Sequence, residues 1–294
     1  MNNITTLATA ADRAATNPPR TPGAKILAIT SGKGGVGKTF VAANLALALV
    51  RRGRKVLLLD ADLGLANLDI VLNIRPSKTL HDVLTGQATI EEVVMRAPCG
   101  VEVLPAASGL IEYSRLTGNV QDELRTVIAE LGQRYDYLLL DTGAGISDIV
   151  LFTASLAQDV LVVATPEPTS IADAYATIKI LAMLQKRADF RLVINQVRNA
   201  TEGGKLARQL QGVVDRFLMS QLAMEIRLHH LGDIPYDPLA PESVRKRKLL
   251  LDGNPGAPAA KALVVIAAAL ETPRPKVDRS PRGLKNSGSW PGGA

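Results

Sequence analysis

Ser31-Gly32-Lys33-Gly34-Gly35-Val36-Gly37-Lys38-Thr39 decides the fold of this chain. An apolar stretch, Lys25 to Thr30, precedes it, and a helix-forming stretch, Phe40 to Val50, follows it. Four glycines let the backbone curl so that successive N–H groups converge on phosphate oxygens. The helix behind them turns its positive end toward the same point. Lys38 is expected to reach the β/γ-phosphates and the Thr39 hydroxyl to ligate Mg²⁺. Gly32, Lys33, Gly34, Gly35, Val36 and Gly37 supply the rest of the cradle. Lys33 is a second lysine that a phosphate loop does not need, and a solvated loop residue is the lesser reading of it.

Outward from the loop, short apolar runs alternate with helical segments. Strands are expected at 25–30, 55–60, 101–104, 136–141, 159–164 and 190–195. Helices are expected at 39–51, 119–133, 147–157, 169–186 and 202–219. Such alternation predicts right-handed βαβ units, hence an α/β fold with a mainly parallel sheet and helices on both faces. The composition agrees: 47% of the 294 residues are hydrophobic but only 3% aromatic, which suits aliphatic parallel strands buried on both sides. Residues 25–271 form the expected domain. Residues 1–24 read as a mobile arm and 272–294, rich in Pro, Gly, Ser, Arg and Lys, as a disordered basic tail.

Two strand ends carry carboxylates, Asp60 and Asp62 after Leu57-Leu58-Leu59, and Asp141 after Leu138-Leu139-Leu140. Ligands of open α/β sheets bind beyond the carboxyl ends of the strands. Asp60 and Asp141 are therefore expected near Mg²⁺ with Thr39, and Asp62 is expected to orient the attacking water. Gly143 and Gly145 let the next loop approach a γ-phosphate.

The net charge of +6 permits an acidic partner without demanding one. The single cysteine, Cys99, excludes an internal disulfide and fits a reducing compartment. No run is long enough to span a bilayer, and the N-terminus lacks the pattern of a secretory signal, so a cytoplasmic protein is expected. His81, His229 and His230 have no metal-like companions in sequence.

Lys-Gly-Gly-x-Gly-Lys-Thr resembles the deviant phosphate loop of the MinD/ParA family. The resemblance implies that Lys33 crosses a dimer interface to the partner's nucleotide, so that ATP joins two subunits. It also implies the roles given above for Asp60 and Asp62. The Asn-Lys-x-Asp signature of GTPases is absent. By resemblance Asn195 contacts an adenine walled by Ile234-Pro235-Tyr236-Asp237, although a strand-end asparagine also reads as a turn residue. The stretches Asp60–Asp69, Leu104–Gly109, Asp141–Ser147 and Thr165–Tyr175 look most like the flagellar-number regulators of the FlhG (FleN) branch.

That branch implies an ATP-dependent homodimer, peripheral contact with the inner membrane, a flagellar GTPase of the signal-recognition-particle class (FlhF-type) as partner, and in some bacteria a flagellar transcription regulator. Partition and division-site ATPases of the same family are the alternatives. Two departures stand out. The GTPase-stimulating motif of the branch is reduced here to Asp12-Arg13-Ala14-Ala15-Thr16-Asn17. The tail after Leu270 has no regular apolar face to act as a membrane helix. The basic run Arg245-Lys246-Arg247-Lys248 reads as a solvated helix face, and nucleic acid is not an expected partner.

Overall fold

The computed structural model describes residues 23–62, 66–106 and 118–272. The expected arm and tail lie outside these, except for residues 23, 24 and 272. So do Leu63–Leu65 of the Asp60–Asp69 stretch and Ala107–Gly109.

The strands are β1 (Lys25–Ser31), β2 (Val56–Ala61), β3 (Met95–Arg96), β4 (Glu102–Leu104), β5 (Tyr137–Ala144), β6 (Asp159–Ala164), β7 (Asp189–Val197) and β8 (Arg227–Pro235). They form one sheet in the order β3-β4-β2-β5-β1-β6-β7-β8. Only the short β3–β4 pair is antiparallel. Parallel strands need helical crossovers, and the helices supply them on both faces.

Alternation along the strands divides the core. Ile26, Ala28, Leu57, Leu59, Leu138, Leu140, Val160 and Val162 face one layer. Leu27, Ile29, Leu58, Leu139, Leu161 and Val163 face the other. Both sets are buried, so the strands read as continuous apolar runs. The first layer packs on α3 (Leu80–Leu84), α4 (Ile90–Val93), α5 (Gly118–Leu131), α6 (Asp148–Ser155), α7 (Pro168–Gln185) and α8 (Glu202–Leu222). The second packs on α1 (Lys38–Arg51), α2 (Leu68–Leu72), α10 (Leu250–Gly253) and α11 (Pro258–Glu271). One further helix, α9 (Leu239–Arg245), follows β8.

Five of the six expected strands match within two residues at each end. The sixth, at β5, continues to Ala144, where it pairs with Ser31. β8 was not anticipated. Its sequence, Arg-Leu-His-His-Leu-Gly-Asp-Ile-Pro, has no apolar run, because it is the sheet's partly exposed last strand. Pairing with β7 makes it a strand. Among the described residues no helix is long and apolar enough to cross a membrane.

Candidate functional site

β1 lies between β5 and β6, so the chain leaves the sheet in opposite directions on its two sides. This is the switch point at which α/β sheets open a crevice. The glycine loop sits there.

The loop's glycines answer to different constraints. A Cβ on Gly32 would stand 2.2 Å from backbone atoms of Asp173 in α7. Gly35 and Gly37 have φ of 80° and 88°, which disfavour side chains. A Cβ on Gly37 would also meet the Asn195 amide at 2.5 Å. Gly34 has nothing within 4 Å of its would-be Cβ. Gly32 is thus required by packing, whereas Gly34 faces open space. Gly32→Ala is expected to lower stability by about 1–3 kcal/mol, as overpacking does. Gly34→Ala is expected to melt like the parent and lose nucleotide affinity. Thermal melts with nucleotide titrations separate the two, and equal melting points would refute the assignment.

Asn195, at the end of β7, is buried. Its Nδ2 donates to the Val36 carbonyl at 2.8 Å and its Oδ1 accepts the Gln196 N–H. It clamps the loop from β7, two strands away from β1, and one amide N–H is left over for another acceptor. Ser31 Oγ donates to the Lys33 carbonyl, and the Gly145 N–H donates to the Ser31 carbonyl. The loop is held by the protein's own hydrogen bonds.

Lys38 is 9% exposed and its Nζ donates to Asp141 Oδ1 at 2.9 Å. The Thr39 hydroxyl also bonds Asp141. Asp60 and Asp141 are register partners on β2 and β5, both buried. Burial, and then the Asp141 charge, push the Asp60 carboxyl up to about 7. Burial also raises Asp141, while Lys38 and Thr39 pull it down. Two neighbouring carboxyl groups in a dry crevice resist joint ionisation unless a cation joins them.

Among the described residues no three His, Cys, Asp or Glu side chains could hold a metal by themselves. Mg²⁺ takes one or two protein carboxylates and fills its octahedron with phosphate and water oxygens. Thr39, Asp60 and Asp141 fit it in donor type. Asp60 also accepts the N–H groups of Asp62, Asn67 and Leu68, and so ties the segment after β2 to the start of α2.

Asp62 is partly exposed, and a Cβ on Gly143 would lie 3.4 Å from its Oδ1. The acid therefore lies beside Gly143 near the end of β5, less buried than Asp60 and Asp141.

Lys33 takes no part in the Lys38–Asp141 cluster. Its Nζ bonds Glu167 at 2.6 Å and Thr169 at 3.1 Å, at the start of α7. Sequence reasoning missed both partners. They lie in the Thr165–Tyr175 stretch, which signalled a family branch but not a contact with the loop.

Pro235 pairs with Val197 at the end of β8, one step beyond Asn195–Ile234. Asp237 is buried, and its carboxylate is spent on the N–H groups of Leu239 and Ala259, the starts of α9 and α11. It shapes this wall by fixing backbone. The neighbouring Tyr236 is 64% exposed. His229 and His230 each bond an aspartate, Asp189 and Asp233.

Comparison with known proteins agrees with this geometry. The ParA family model, described as NUBPL iron-transfer P-loop NTPase, matches residues 23–271. The antiactivator FleN of Pseudomonas aeruginosa is 40% identical over 248 residues, 84% of this chain and 86% of that protein. The flagellum site-determining protein YlxH of Helicobacter pylori is 36% identical over 228 residues, 77% of this chain and 74% of that one. The cell division ATPase MinD of Pyrococcus furiosus superposes with a TM-score of 0.68 at 31% identity, over 84% of this chain and 98% of that one. MinD of Pyrococcus horikoshii, solved with Mg-ADP, gives 0.67 at 29% identity, over 84% and 96%. With its glycine loop, two lysines and paired strand-end carboxyls set at the switch point of a parallel sheet, the chain belongs to the MinD/ParA family of P-loop ATPases.

Proposed function

We propose that the chain is an ATP-driven dimerising switch that regulates the number and placement of flagella. ATP is held by the loop with Lys38 on its phosphates, and Mg²⁺ by Thr39, Asp60 and Asp141. Bound Mg²⁺ supplies neutralisation of the charge on the β/γ-oxygens. Asp62 orients the water that attacks the γ-phosphate. Asn195, Pro235 and Asp237 border the base, Asn195 with its remaining N–H and the other two as wall.

The observation that carries the switch reading is the position of Lys33. It lies outside the buried cluster, held by a half-exposed pair with Glu167, 39% and 64% exposed. Such a pair is worth under about 1 kcal/mol, so its release to a second subunit costs little. Lys33→Ala is expected to bind ATP with near-parent affinity and to remain monomeric. Sedimentation with a slowly hydrolysed ATP analogue checks this, and normal dimerisation would return Lys33 to a surface role.

The flagellar assignment is supported by the coverage of FleN and YlxH, which exceeds that of the Bacillus subtilis septum protein MinD, 36% identical over 59% of this chain. Partners then include a second copy, an FlhF-type GTPase, a flagellar transcription regulator and the inner membrane surface. Iron transfer finds no support in the residues, because Cys99 has no second cysteine in the chain. Flagella counted by electron microscopy in cells lacking the protein, with and without rescue, test the proposal. Unchanged flagella with a segregation or division defect would favour the partition or MinD-type role.

A further inference from the structure

A second cleft, of roughly 340 Å³, opens on the α1–α11 face between the end of α2 and the turn from α9 to α10. Its apolar lining comes from Val71, Leu72, Pro98 and Leu249. Its rim carries Lys246, Arg247 and Lys248, with Asp252 as its one carboxylate. In sequence this basic run reads as a plain solvated face; the fold seats it over apolar side chains instead.

Arg247 is the informative residue. The helix α9 ends in a Schellman motif: the Arg247 N–H donates to the Val244 carbonyl and the Lys248 N–H to the Ser243 carbonyl. Arg247 occupies the left-handed position of that motif, with φ of 50°. Glycine is the residue that adopts this conformation without strain. Lys186 and Ala223 hold the same left-handed conformation after α7 and α8, but neither lines this cleft. Its guanidinium makes no hydrogen bond or ion pair among the described residues. A guanidinium with no internal partner at the rim of an apolar cleft is available to an external acceptor.

The neighbouring cations are lightly committed. Lys246 reaches Glu242 at 2.7 Å and Lys248 reaches Asp252 at 3.8 Å, but Lys246 is 70% and Lys248 59% exposed, so solvent screens both pairs. Asp252 is shared with Arg51 at 3.1 Å. The Schellman bonds satisfy the last carbonyls of α9, so side-chain charge sets the field of the cleft. Cys99, half-buried in the same cleft, is held protonated chiefly by burial and contributes no negative charge at neutral pH.

We propose that this cleft docks an acidic peptide segment of a partner protein through one aliphatic anchor and flanking carboxylates. Three cations around an apolar floor match that chemistry. The chain's own ends do not supply it. Residues 273–294 carry Arg274, Lys276, Arg279, Arg282 and Lys285 against Asp278 alone, and residues 1–22 carry only one acid, Asp12. A nucleic-acid backbone would use the cations and leave the apolar floor idle. The cleft is also placed to respond to nucleotide, because α2, whose last turn lines it, is tied at its start to Asp60.

The test uses the full chain, a short fluorescein-labelled peptide of Glu and Leu, a matched Lys/Leu peptide, a labelled DNA duplex and phosphatidylglycerol vesicles. Expected is saturable, salt-sensitive binding of the acidic peptide alone, with slower maleimide labelling of Cys99 while it is bound. Arg247→Gly, which relieves the backbone strain, should melt no lower than the parent, keep its ATPase rate and bind the peptide about tenfold more weakly. Equal peptide affinity in parent and Arg247→Gly overturns the proposal. So does an unprotected Cys99, or Arg247-dependent binding of duplex or vesicles in place of the peptide.

Discussion

Lys38→Ala is expected to abolish nucleotide binding, with affinity falling at least about a hundredfold, as loss of a buried charge partner does. Two consequences of one structure meet at this residue. The ammonium is the proposed counter-charge for the phosphates, and in the structure it neutralises Asp141 at 2.9 Å. If Lys38 binds phosphate as proposed, it would have to turn away from Asp141, whose carboxylate would then be free to help hold Mg²⁺. Removing Lys38 leaves Asp141 buried with its main opposing charge gone.

The pH dependence of that variant follows. Burial already raises Asp141, and loss of Lys38 raises it further. A carboxyl whose folded-state pKa lies above its unfolded value binds more protons in the folded state, so stability falls as pH rises between the two values. Lys38→Ala should thus lose most stability relative to the parent at and above neutral pH, and least near pH ~4, around the unfolded aspartate value. Melting curves across pH check this. Lys38→Met, which refills the space, separates folding from binding: parent-like nucleotide affinity in either variant would remove the loop from the reaction.

Asp62→Ala is expected to keep ATP binding and lose hydrolysis by about a hundredfold or more, the scale of a lost general-base or positioning group. Asp62 does not belong to the buried pair. It lies beside Gly143 and is partly exposed to water, and its backbone N–H donates to the Asp60 carboxylate. Truncating it should leave the Asp60 ties to Asn67 and Leu68 in place. The expected product is an ATP-loaded dimer that does not reset, visible as a long-lived dimer in size-exclusion chromatography and as failed rescue of flagellar number. Parent-like turnover would assign the water to another residue. A monomer in ATP would instead make Asp62 part of assembly.

Much of the fold was legible because the signals are local. Each aliphatic run, such as Leu57-Leu58-Leu59 or Val160-Leu161-Val162-Val163, is buried on both faces and cannot be solvent-facing. The glycine loop was legible for the same reason, since its conformation and chemistry arise within nine residues. β8 was not, because its strand character comes from pairing with β7 and not from its own side chains. The helices α2, α3, α4, α9, α10 and α11 were also missed; most are a turn or two stabilised by packing and caps, such as the Thr79–Asp82 and Thr89–Glu92 boxes, whereas α11 runs for 14 residues.

The candidate site divides along the same line. Sequence alone determined that this chain has a phosphate loop with two lysines, carboxylates at two strand ends and a parallel sheet to carry them, because strand periodicity and loop chemistry are encoded in neighbouring residues. Only the tertiary structure decided the partners. Lys38 meets Asp141 across 103 positions, Asn195 clamps Val36 across 159, Lys33 rests on Glu167 across 134, and Arg247 lines one cleft with the end of α2. Contacts at such separations arise from strand order and helix packing, which no local run of residues specifies.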